Sequence, residues 1–141
     1  MKILIINGPN LNLLGKRQPE IYGSESFDDY LIKLKGLFPD IVIDYFQSNH
    51  EGELIDKIQQ ADKLYEGIII NAGGYTHTSV AIGDAVASIS TPCIEIHISN
   101  IFAREDFRKI SFLSAHCNAV ISGCGLDGYE FGVREVIKII V

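Results

Sequence analysis

Glu95-Ile96-His97 is the pair in this sequence best suited to proton transfer. Polar and apolar residues alternate along Cys93-Ile-Glu-Ile-His-Ile98, which places Glu95 and His97 on one face of a strand and Ile94, Ile96 and Ile98 on the other. That face cannot be plain core. A buried carboxylate is costly without a partner, and histidine is the side chain whose charge changes near neutral pH. On the residues alone two readings stay open: a satisfied internal ion pair, or an acid–base couple at the end of a strand. Gly15-Lys-Arg17 and Tyr22-Gly23 form a second group. A guanidinium beside a phenol favours the phenolate, so Tyr22 could serve as a base, and the glycines could hinge a lid; a packing tyrosine in a solvated loop is the alternative. Ser99-Asn100 ahead of Ala103-Arg104-Glu105 reads as a helix start whose free N–H groups suit a carboxylate or phosphate. Arg104 and Arg108 would then lie one turn apart, either on the ligand or on an exposed basic face. These features together point to a small, anionic, hydroxylated substrate and acid–base chemistry without a cofactor.

Residues this scattered must be brought together by the fold. Residues 3–6, 41–46, 67–71, 93–98 and 119–122 are short runs rich in β-branched side chains, and they read as five strands. Helical spacing fills 26–38, 51–65, 78–90, 103–115 and 129–140. Alternating strands and helices with nearly continuous apolar strands predict a doubly wound α/β domain: a five-stranded parallel sheet with helices on both faces, three layers in one domain spanning 1–141. Ligands of such sheets bind at the carboxyl ends of the strands, where strand order reverses. There Asn7-Gly-Pro-Asn10, Asn71-Ala-Gly-Gly-Tyr-Thr-His77 and Glu95-Ile-His-Ile-Ser-Asn100 should converge. Residues 8–25, between the first strand and a helix starting near Ser26, make a connection far longer than usual, as a lid would.

Composition removes whole classes of function. With 141 residues there is room for one core. Twelve Lys plus Arg against 18 Asp plus Glu give a net charge of −6, the wrong sign for general nucleic-acid binding. Cys93, Cys117 and Cys124 have neither the number nor the spacing of a disulfide framework or a zinc knuckle, and the chain reads as cytoplasmic. The apolar opening is too short to cross a membrane. A hydrophobic fraction of 47% and a mean hydropathy of +0.18 are high for so short a chain, as if subunit contacts covered part of its surface. Gly123-Cys-Gly-Leu-Asp-Gly128 matches a dinucleotide fingerprint, but only residues 129–141 follow it, too few for another strand and an acidic ribose ligand. It reads as a turn and a helix-packing site. Asn7 and Asn71 stand where a phosphoreceiver needs acidic residues, the loop after the first strand offers few donors for FMN, and no G-x-S-x-G or H-x-x-x-H occurs.

Four motifs, in order and nearly end to end, resemble those of the type II 3-dehydroquinate dehydratase family. They are Ile6-Asn-Gly-Pro-Asn-Leu11; Leu14-Gly-x-Arg-x-Pro-x-x-Tyr-Gly23; Asn71-Ala-Gly-Gly-Tyr-Thr-His-Thr-Ser79; and Glu95-Ile-His-Ile-Ser-Asn100 followed by Arg104-Glu-x-Phe-Arg108. Gly123-x-Gly-x-x-Gly-Tyr129 also looks like the family's. Phe102 departs from the polar residue that many members carry. The resemblance implies a flavodoxin-like fold and anti elimination of water from 3-dehydroquinate through an enolate, with neither metal nor nucleotide. It implies Tyr22 as the base, Arg17 keeping it ionised, Asn10 holding an enolate-stabilising water, His97 as general acid and Glu95 orienting the network. Ile98 and Ser99 N–H groups would take the substrate carboxylate, with Asn71, His77 and Arg108 on ring hydroxyls and Arg104 supporting. Asp84 would reach a neighbour's site in trimers that stack into homododecamers, serving aromatic amino acid biosynthesis or quinate catabolism. The competing class is a non-enzymatic flavodoxin-like subunit holding FMN or another phosphate ligand.

Overall fold

A computed structural model describes residues 1–141. Its five strands are β1 (Lys2–Asn7), β2 (Val42–Gln47), β3 (Gly67–Asn71), β4 (Cys93–His97) and β5 (Ala119–Ser122). They form one parallel sheet in the order β2-β1-β3-β4-β5. This is the predicted flavodoxin-like arrangement, with its switch in strand order between β1 and β3. The strands are apolar along their length because both faces are covered. On one face Ile3, Ile5, Ile69, Ile94 and Ile96 pack against Phe27, Tyr30 and Leu34 of α2 (Phe27–Leu37) and Tyr129, Val133 and Val136 of α5 (Asp127–Ile140). On the other, Leu4, Ile6, Ile68 and Ile70 meet Leu54 and Ile58 of α3 (Glu51–Ala61) and Ile82, Ala85 and Val86 of α4 (Val80–Ser88). The intervening α1 (Pro19–Tyr22) is a single turn inside the long first loop. Ser26 and Ser79 cap α2 and α4, accepting hydrogen bonds from the N–H groups of Asp29 and Ile82.

At the switch the loops after β1 and β3 cross in contact. Gly8 donates its N–H to the Asn71 carbonyl at 2.7 Å, and a Cβ on Gly8 would lie 2.4 Å from the Ala72 carbonyl oxygen. Only glycine fits there. Gly123 and Gly125 take φ of 89° and 62°, and Gly128 packs on Ile96 and Ile121. The apparent dinucleotide fingerprint is therefore a turn and a packing site.

One predicted helix does not form. Residues 103–115 fold as part of a string of short 3₁₀ turns, at Ile101–Ala103, Asp106–Lys109 and Ser114–His116. A side chain competes with a helical backbone here: Ser111 Oγ accepts from the N–H groups of Leu113 and Ser114, which a helix over 103–115 would have used. Arg104 and Arg108 are thus not one turn apart on a helix, and the start expected at Ser99-Asn100 is reduced to the single 3₁₀ turn Ile101–Ala103, which Asn100 caps by accepting from Phe102 N–H. The helix expected over 51–65 also stops early, at Ala61, with Lys63 left-handed at φ 66°.

Candidate active site

The carboxyl ends of β1, β3 and β4 surround a cavity of about 170 Å³. Asn10, Arg17, Tyr22, Asn71, His77, His97, Ile98, Ser99, Arg104 and Arg108 line it, with Leu11, Gly73, Gly74 and Ile101. The predicted convergence of the three loops is observed, and the long connection after β1 joins them through Arg17 and Tyr22. Glu95 lies behind His97 rather than on the wall. Asp84 is exposed on α4 and does not reach this cavity.

His97 ends β4 and is 5% exposed; Glu95, two residues earlier, is 0% exposed. His97 Nε2 lies 3.0 Å from Glu95 Oε1. Glu95 Oε1 also accepts from Ser111 Oγ at 2.6 Å, and Oε2 accepts from Ser114 Oγ. Burial opposes ionisation of Glu95, but His97 beside it and the bonds from Ser111 and Ser114 outweigh it and hold the carboxyl below its ordinary range. Neither serine was singled out from sequence. The His77 ring stacks 6.2 Å from that of His97, and its Nδ1 is 2.6 Å from the Ile110 carbonyl, so Nδ1 carries the proton. Burial, aided by His97 and Arg108 nearby, lowers the His77 pKa even though the Ile110 carbonyl favours the charged ring.

Across the cavity, α1 begins with Pro19 and ends at Tyr22, and Gly23 with φ 81° turns the chain away. The Tyr22 hydroxyl accepts from Arg104 Nη1 at 3.0 Å, and the same nitrogen donates to Ser99 Oγ at 3.1 Å. The Arg17 guanidinium lies over the Tyr22 ring, 5.4 Å from its centre. Arginine 17 was expected at the phenol; the hydrogen bond to its oxygen comes from Arg104, which sequence reasoning gave only a supporting place. Arg108 is held by Glu105 at 2.6 Å. Three guanidinium groups thus face one cavity in a chain of net charge −6, focusing positive potential where an anion would bind. The N–H groups of Ile98 and Ser99 donate to no acceptor in the chain and remain free for one.

Beneath the cavity a buried polar chain fixes Asn71. Asn71 Nδ2 donates to the Tyr129 hydroxyl at 3.1 Å, Tyr129 donates to Asn7 Oδ1 at 2.7 Å, and Asn71 Oδ1 accepts from Gly73 N–H at 3.1 Å. Asn10 is left-handed at φ 70° and gives its N–H to Asn49 Oδ1 at 3.0 Å. No group of three His, Cys, Asp or Glu side chains is placed to hold a metal ion, and no helix is long and apolar enough to cross a membrane.

The sequence profile of dehydroquinase class II matches residues 1–137. The chain belongs to the class II dehydroquinase family. A 3-dehydroquinate dehydratase of Prochlorococcus marinus strain MIT 9515 is 52% identical over 140 residues, covering 98% of this chain and 96% of the relative. That of Fusobacterium nucleatum is 51% identical over 144 residues, covering 98% and 97%. The crystal structure of type II dehydroquinase from Butyrivibrio crossotus superposes with a TM-score of 0.91 at 48% identity, covering 97% of each chain. That from Propionibacterium acnes gives 0.92 at 40%, covering 97% and 96%. The class II dehydroquinase fold is therefore that of this sheet, and the cavity lies at its strand switch.

Proposed function

We propose that this chain carries out the reaction for which its relatives are named, dehydrating 3-dehydroquinate to 3-dehydroshikimate as a hydro-lyase of the shikimate pathway. The observation that carries the reading is the pairing of two proton-transfer groups at one cavity: a tyrosine hydroxyl bonded to a guanidinium, and a histidine backed by a buried carboxylate. Tyr22, with the Arg104 guanidinium on its oxygen and that of Arg17 over its ring, is the base that takes the proton from the carbon beside the ketone, and the electron pair moves onto the ketone oxygen as an enolate. Asn10 holds a water against that oxygen. When the enolate collapses, His97 gives its proton to the departing hydroxyl, which leaves as water, with Glu95 supporting the imidazolium. Solvent then returns the proton from Tyr22 to His97. The substrate carboxylate sits on the free N–H groups of Ile98 and Ser99, and Asn71, His77 and Arg108 take ring hydroxyls. No metal or nucleotide takes part in these steps.

Asp84, exposed on α4, is assigned to a neighbouring subunit's site in trimers that stack, four together, into dodecamers; exposed Val80, Phe107, Ile110 and Phe112 supply apolar surface for contact. The test is the ultraviolet absorbance of the conjugated enone product. Wild type should form it, Tyr22→Phe should abolish turnover with substrate binding kept, and His97→Ala should lose about 10²-fold or more in rate. Near-normal kcat in Tyr22→Phe would show that another group is the base.

A further inference from the structure

Glu95 sits in the middle of the sheet, where its neighbours opposite on β3 and β5 are Ile70 and Val120. Neither offers a donor. Both carboxylate oxygens nevertheless accept a hydrogen bond, from Ser111 and Ser114, brought in by the string of 3₁₀ turns, while His97 Nε2 lies 3.0 Å from Oε1 without hydrogen-bond alignment. The two serines differ in what else they do. Ser111 Oγ also accepts the N–H groups of Leu113 and Ser114, both at 3.1 Å, and so shapes the turn itself. Ser114 Oγ has the Glu95 carboxylate as its one partner.

We infer that Ser111 and Ser114 are positioning residues for the reaction, holding Glu95 ionised and aimed at His97 so that the histidine is a competent acid. The inference rests on the reading of His97 given above. Each hydroxyl points a positive hydrogen at the carboxylate and so lowers its proton affinity, and removing one leaves more negative charge on Glu95 beside His97. Other titratable groups face the pair. On the cavity side these are His77, Arg108, Arg104, Arg17 and Tyr22. At the far end of β4, Cys93 hydrogen bonds to Cys117, and this bond with burial pushes its thiol well up, leaving it neutral. None of these contacts either serine hydroxyl, so removing a hydroxyl perturbs the pair without deleting another charge.

Ser114→Ala is the clean test because it removes one oxygen and one hydrogen bond. The alkaline limb of the kcat/KM profile, along which the general acid loses its proton, should move up by about one pH unit, as expected for loss of one charge-assisted bond. KM and the plateau kcat should stay within about threefold of wild type. Nuclear magnetic resonance of the free enzyme supplies a readout independent of turnover. There the His97 ring, assigned among four histidines by its absence in His97→Asn, should titrate at higher pH in the variant. Ser114→Thr, which keeps the hydroxyl, should restore both. Folded Ser114→Ala with an unmoved profile and an unmoved His97 titration overturns the inference, even if His97→Asn has lost its rate. If His97→Asn retains its rate, the reading of His97 fails instead, and the ring titration in Ser114→Ala still decides whether the serine acts on the pair. Should Ser114→Ala not fold, Ser114→Cys keeps the volume with a weaker donor, and a smaller shift in the same direction is the supporting result, no shift the refuting one.

Discussion

Arg104→Met should cost kcat and spare KM. The Arg104 side chain is 15% exposed, so its hydrogen bond to the Tyr22 oxygen is only modestly screened by water. A hydrogen bond to a charged group contributes about 1.5–3 kcal/mol. The bond is aimed at the atom on which negative charge sits when the phenol is deprotonated, so most of that energy belongs to the reacting state. Converted to rate, the loss is roughly 10- to 200-fold in kcat. Arg17, packed over the ring 5.4 Å from its centre, remains in the variant and keeps a positive charge nearby, which is why activity should fall rather than vanish. Arg104→Lys should lie between, since an ammonium keeps the charge but cannot reproduce a guanidinium fork shared between Tyr22 and Ser99. Steady-state kinetics by enone absorbance separates the outcomes. A kcat within about threefold of wild type would refute the pairing of Arg104 with the phenol, and a loss confined to KM would make Arg104 a substrate ligand instead.

Tyr129→Phe removes a fully buried hydroxyl that both donates to Asn7 and accepts from Asn71, so two buried amides lose a partner. Stability should fall by about 1–3 kcal/mol, read as a lower urea midpoint with unchanged slope; an unchanged midpoint would mean that the amides find other partners. Stability should also fall on acidification. The folded-state pKa of His77 is depressed below 6.5, so the unfolded chain binds its proton first, and stability present above that value is lost as pH falls through it toward the folded pKa. His77→Gln should narrow the difference in urea midpoint between about pH 7.5 and about pH 5.5, and an equal difference in both proteins would place the effect elsewhere.

What could be read from the sequence was whatever repeats locally. Strand runs and amphipathic spacing placed all five strands and four of the five helices, and the alternation at Cys93–Ile98 put Glu95 and His97 on one face before any contact was known. Topology then supplied the meeting of three loops, because a parallel sheet has one end at which such loops can gather. Contacts between distant residues were not legible. Arg104 reaches Tyr22 across 82 positions and Tyr129 reaches Asn7 across 122, and nothing in either neighbourhood marks the partner. Arg17 looked like the phenol's partner because it is near in sequence; in space it takes the ring face while Arg104 takes the oxygen. The helix predicted over 103–115 failed for a related reason. Helical spacing reports which residues could share a face, yet here the side-chain oxygen of Ser111 takes the N–H groups of Leu113 and Ser114, which a helix would have used.

That failure is tied to the chemistry. A carboxylate buried mid-sheet needs donors, and the flanking positions Ile70 and Val120 supply none, so the donors must cross over from outside the sheet. The segment after β4 is bound at one end by His97 and at the other by β5, and it must also return Arg104 and Arg108 to the cavity. A regular helix over 103–115 would fix all four side chains on one rigid cylinder, with successive residues turned about 100° apart. Breaking the segment into short turns lets Arg104 and Arg108 face the cavity while Ser111 and Ser114 face Glu95 from beyond it. The irregular backbone is therefore what allows one stretch of chain to serve both the phenol and the carboxylate behind the histidine.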